Sequence, residues 1–164
     1  MRGLRLKFML FVYNWSTQVY SELFKGHVKA WGISKEEFLT YPEGSIGAAL
    51  GNFYQEKGFD VMPKLENHDV FHILTETGTA IHDEIAMQYL LFGNGKISLY
   101  LLGMLLIGTL LFPEHGRYYL NSFRKGKRMQ RFYDIAFKDY LLESRQAFQL
   151  SLYNKTIHTT YNTI

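Results

Sequence analysis

Residues 67–89, NHDVFHILTETGTAIHDEIAMQY, constrain the fold more than any other stretch of the chain. His68, Asp69 and His72 fall within five residues, and Glu84 follows His72 after eleven more. An α-helix turns by about 100° per residue, so His68 and His72 leave from one face and Asp69 stands on its flank. In an unbroken helix with a rise of about 1.5 Å per residue, Glu84 would lie roughly 24 Å from His68, too far to share an ion with it. Glu84 can join the histidines only if the chain reverses.

Thr77, Gly78 and Thr79 offer that reversal, because glycine tolerates the left-handed conformation that ends helices and threonine can cap the next one. His72 and Glu84 each lie six positions from Gly78. An antiparallel helical hairpin turning there sets them opposite each other, with Gln88 facing His68. Two imidazoles and two carboxylates (His68, Asp69, His72 and Glu84) would suit zinc, ferrous iron or manganese better than calcium, which prefers oxygen throughout. A plainer arrangement also fits: His68 and Asp69 capping a helix, His72 packing as an ordinary polar residue. Spacing alone leaves both open.

The pattern His-Asp-x-x-His, eleven residues, then Glu resembles the signature of the Coq-four family, the ubiquinone (coenzyme Q) biosynthesis proteins, and the match at His68, Asp69, His72 and Glu84 has no gap. Pro42-Glu43-Gly44-Ser45-Ile46-Gly47 is similar to the family's Pro-x-Gly-Thr-Leu-Gly. His72-Ile73-Leu74-Thr75 resembles its His-Val-Leu-Thr, and residues 123–145 its basic, glycine-containing C-terminal region. The likeness runs over residues 41–150. It implies a divalent metal, zinc first, and a prenylated quinone precursor or related prenyl lipid as ligand. The implied roles are metal-dependent decarboxylation, with hydroxylation, of a polyprenylated aromatic acid, or a non-catalytic prenyl-lipid scaffold for other quinone-biosynthesis enzymes. The resemblance leaves the catalytic residues unassigned. A rival is an HD-type phosphohydrolase, with His27 and Asp134 completing the metal site; it does not account for His72 with Glu84.

The remainder of the chain reads as one all-α, single helical domain over residues 1–153 with a polar tail at 154–164. With 164 residues, 47% of them hydrophobic, a sizeable core is expected, and 16% aromatics make it rich in rings. Cysteine is absent, which excludes disulfides, thiolate catalysis and zinc fingers. A net charge of +3 is too small to argue for nucleic acid. The N-terminal residues start basic and turn apolar, but Asn14 interrupts the run and no small-residue cleavage site follows, so no signal peptide is expected. Combined with the resemblance, that suggests a bacterial, cytoplasmic protein peripheral on the inner face of the membrane.

Apolar residues at steps of three and four predict an amphipathic helix at 4–25, closed by Gly26. Ser34 and Glu37 fit a capping box, and Ile46, Leu50 and Phe53 predict a helix from Ser45 to Lys57 stopped by Gly58. Residues 97–112 are the most apolar segment. Sixteen residues fall short of the ~20 a bilayer span needs, so a buried apolar helix is expected. Gly103 and Gly108 would notch it, making Leu99, Gly103, Leu106 and Gly108 the candidate lipid cavity; the same glycines could equally serve tight helix packing. Arg117, Arg124, Lys125, Lys127, Arg128 and Arg131 come with no acidic residue among them. They read as a solvated face or a contact with lipid phosphates; nucleic acid is a third reading, disfavoured by poor aromatic interleaving, and a homo-oligomer is compatible with all of this. Asp83 is expected to miss the metal and to be solvated or paired with a basic residue, and Glu66 and Glu76 are expected at exposed helix positions.

Overall fold

The computed structural model describes residues 29–153 together with Gly3 and Lys7; the helix expected at 4–25 and the tail at 154–164 lie outside the described residues, as does His27. The fold is all-α. Among the described residues there are seven α-helices: α1 (Lys35–Phe38), α2 (Ile46–Lys57), α3 (Glu66–Thr75), α4 (Ile81–Gly93), α5 (Leu99–Leu111), α6 (Gly116–Arg128) and α7 (Arg145–Ser151). No strand occurs among them, only an isolated antiparallel bridge between Ser45 and Ser144. The chain gathers into two compact units, one formed by Val28–Glu76 and Asp134–Ile164, the other holding Thr77–Tyr133.

In the first unit, local chemistry sets the helix ends. Ser34 Oγ accepts from Glu37 N at 3.1 Å to start α1, and Ser45 Oγ accepts from Ala48 N at 3.1 Å to start α2. Gly58, at φ 65°, ends α2 in the left-handed conformation. Ile46, Leu50 and Tyr54 are buried along α2, and Gly51 lets the backbone of Phe38 and Leu39 approach where a Cβ would collide. The C-terminal segment is tied to the start of α2 by Ile46 N to Glu143 O (2.9 Å), Gly47 N to Leu141 O (2.8 Å) and Arg145 N to Gly44 O (2.9 Å). Phe71, Phe137 and Phe148 continue the packing edge to face, with centroids 5.9 and 5.7 Å apart. Glu66, expected in solvent, is only 2% exposed and accepts from Trp31 N at 2.9 Å. That contact, 35 residues distant in sequence, draws its carboxylate inward.

The second unit is built on α4. Gly126 of α6 sits against the Leu90 carbonyl of α4, and Gly93 of α4 against the Phe123 carbonyl of α6, so the two helices meet backbone to backbone. Ile85 fills the space over Gly108 of α5, and Tyr89 and Thr109 share a hydroxyl hydrogen bond of 2.7 Å. Tyr89 also stacks on Tyr119, centroids 5.3 Å apart. Asn94, after α4, donates to the carbonyls of Gly126 and Gln130 and accepts from the amides of Phe132 and Tyr133.

The apolar segment is half buried instead of buried throughout. Leu101, Met104, Leu105 and Gly108 of α5 face the unit's core, but Leu99, Leu106 and Leu110 are 82, 64 and 72% exposed and Leu102 is exposed beside them. A helix apolar on every side carries no sequence mark of which face turns inward. Pro113 then opens a single 3₁₀ turn (Pro113–His115), and the chain bends by 104° into α6. No single described helix is long and apolar enough to cross a membrane; α5 with the segment from Pro113 to Arg128 passes the length and composition test only as a bent pair. Tyr119, Ser122 and Gly126 are the buried positions of α6, whereas Arg117, Arg124, Lys127 and Arg128 are exposed.

Candidate metal centre

Helix α3 places His68 and His72 one turn apart, as their spacing requires, with ring centroids 4.8 Å from each other and planes at 72°. His72 is buried, and Phe53 of α2 lies against its ring at 5.8 Å and 15°, which fixes the imidazole plane. Phe71 meets His68 edge-on at 6.4 Å. Neither phenyl ring carries a metal-binding atom; both pack against the imidazoles.

The chain leaves α3 through Glu76, which takes the left-handed conformation at φ 54°. The reversal therefore starts two residues before Gly78, whose φ is not positive. Gly78 serves another purpose: a Cβ there would collide with the Asp83 carboxylate. Ala80, not a threonine, stands at the N-cap of the next helix, and Asp83 Oδ2 reaches back to accept from Ala80 N at 3.1 Å. Glu84 follows in the first turn of α4 and is buried, and Gln88, one turn later, is buried as well.

His68, His72 and Glu84 each offer one ligand atom, these atoms all lie within 4.8 Å of one another, and the group could hold a metal ion. Two imidazole nitrogens and one carboxylate oxygen are ordinary protein ligands to a divalent metal ion. Asp69 is not in the group. Tyr54 of α2 donates its hydroxyl to Asp69 Oδ2 at 2.8 Å, and Asp69 Oδ1 lies 3.7 Å from His68 Nδ1. Standing about 100° around the helix from His68, the carboxylate meets α2 through Oδ2 and keeps Oδ1 beside the His68 ring. Burial first, then Asp69, raises the Tyr54 hydroxyl well above the ordinary tyrosine range, so it stays a donor. Tyr54 thereby seats the Asp69 carboxylate beside the His68 ring.

Asp83 misses the group, as expected, and accepts from Tyr118 Oη at 3.0 Å. His82 stacks on His115, centroids 4.6 Å apart and planes 8° off parallel. Of the candidate lipid residues, Leu99 and Leu106 lie on the exposed side of α5 and Gly103 borders open space, while Gly108 is filled by Ile85. Gly108 thus lies apart from the exposed leucines. Sequence reasoning missed Tyr54 and Phe53; both sit in an ordinary amphipathic helix, and nothing local marks either as serving residues about fifteen to twenty positions on. No protein-family model matches the chain, and no curated protein matches it.

Proposed function

We propose that His68, His72 and Glu84 hold one divalent metal, zinc before iron or manganese, in a protein of the ubiquinone-biosynthesis kind that acts on a prenylated aromatic ring. The convergence of three ligand atoms within 4.8 Å carries this reading, and the His-Asp-x-x-His…Glu motif supports its assignment to quinone chemistry. A metal bound there would supply Lewis acidity, polarising a ring carboxylate or a neighbouring ring oxygen toward decarboxylation. The chain's own residues do the positioning. Phe53 stacks on His72, Tyr54 holds the Asp69 carboxylate beside His68, and the buried surroundings strengthen electrostatic effects on a bound anion.

The exposed leucines of α5 and the cations of α6 support a peripheral seat on an anionic lipid surface, where a prenyl tail would reside. The test is metal analysis with lipid mass spectrometry on the untagged protein and on His72→Ala. One zinc, iron or manganese per wild-type chain, lost in His72→Ala, is the expected result, with prenyl lipid accompanying the protein. Wild type that takes up none of the three metals after supplementation overturns the reading. Metal without lipid retains the centre and removes the prenyl assignment.

A further inference from the structure

A cleft of about 450 Å³ opens in the first unit, between the chain that follows α1 and the 3₁₀ turn Phe137–Tyr140. Its walls are held by bonds of the fold itself. Tyr41 N donates to Phe38 O at 3.3 Å, and the Tyr41 ring lies over Gly47, where a Cβ would collide with it. Gly47 N in turn donates to Leu141 O at 2.8 Å, which ties the two sides together. A cleft already formed in the free protein costs little ordering when a ligand enters.

Charge in the cleft is one-sided. Glu37 of α1 and Asp139 of the 3₁₀ turn both line it, and among the described residues neither carboxylate has an ion-pair or side-chain hydrogen-bond partner. Lys138, the cation beside them, donates to Trp31 O at 2.8 Å and pairs with neither. Tyr41, Pro42 and Leu142, the last 71% exposed, give the same cleft apolar surface. Two acids set among apolar walls draw a cation, but exposed carboxylates alone hold one weakly, so the apolar surface must contribute. Arginine meets both demands: its guanidinium forks onto carboxylates and stacks on aromatic rings, and its stem is apolar.

We propose that this cleft receives an arginine side chain of a partner protein, with an adjoining apolar residue against Pro42 and Leu142. The volume exceeds what one arginine side chain fills, and the exposed leucine at the wall fits a peptide better than a free cation. The site is independent of the metal reading and stands with or without a bound ion.

The experiment titrates the isotope-labelled full chain with acetyl-Leu-Arg-Leu-amide and follows its amide chemical shifts. Saturable shifts are expected at residues 37–42 and 138–142, and the same peptide with citrulline for arginine, equal in shape but uncharged, binds about tenfold more weakly. Glu37→Gln and Asp139→Asn each weaken the arginine peptide by about two- to fivefold, and raised salt weakens it too. Glu36→Gln, at an exposed acid of α1 outside the cleft, leaves binding unchanged. No saturable shift at the cleft, equal binding of the citrulline peptide, or a loss in Glu36→Gln as large as that in Asp139→Asn overturns the proposal. Argininamide binding as tightly as the peptide overturns the protein partner and leaves a small cation as the occupant. The comparison of the two peptides on wild type stands whatever the variants do to stability.

Discussion

Tyr54 is the residue on which the ordering of the candidate ligands turns. Its hydroxyl donates to the Asp69 carboxylate, and hydrogen bonds to charged groups contribute about 1.5–3 kcal/mol. Tyr54→Phe is expected to destabilise the fold by that order, measured by denaturant unfolding, and to weaken zinc binding by about 10–100-fold without changing its stoichiometry, as loss of a ligand's orienting partner does. A loss as complete as that in His72→Ala would instead make Asp69 a ligand. The histidine and glutamate spacing was legible in the sequence because helical geometry alone puts positions four apart on one face. The bond from Tyr54 to Asp69 was not, because the two lie fifteen residues apart on different helices. Glu66 was misread for the same reason: its partner, Trp31 N, is 35 residues away.

Helix ends were the most readable elements, since Ser34 and Ser45 each accept from a backbone amide in the first turn they open, and Gly58 closes α2 with a positive φ. Which face of α5 turns inward was not readable, because leucines surround it. Its two glycines now separate by environment. A Cβ at Gly103 meets nothing within 4 Å, whereas one at Gly108 meets Ile85 at 2.7 Å. Gly103→Ala is therefore expected to stabilise by about 0.5–1 kcal/mol through helix propensity. At Gly126, where the Leu90 backbone leaves no room, alanine is expected to destabilise by about 1–3 kcal/mol or more. Thermal unfolding of the variants checks all of this; a destabilising Gly103→Ala would mean that the position is covered.

For the molecule as a whole, alkaline pH is the informative axis. Burial, then the bond to Asp83, pushes Tyr118 up to about 12; burial, then Glu114, raises Tyr119, and Tyr54 is raised too. Unfolded tyrosines ionise near about 10 while these keep their protons, so above that pH the unfolded chain binds fewer protons and folding stability falls as pH rises. The contribution is intact below about pH 10 and lost as pH climbs through the raised values. Melting midpoints across that range should fall less steeply in Tyr54→Phe. On vesicles, the leucine ridge and the basic helix predict sedimentation with anionic lipid that high salt and a Leu106→Ser, Leu110→Ser pair both reduce; equal binding to neutral vesicles would remove the electrostatic part. Asn94 has a last consequence. Its side-chain oxygen holds the amides of Phe132 and Tyr133, which lie beyond the end of α6 in no helix of their own. In deuterated solvent these two amides should retain their hydrogen about as long as those of α4, and Asn94→Ala should release both at once, so that one carboxamide sets the exchange clock for an otherwise irregular segment.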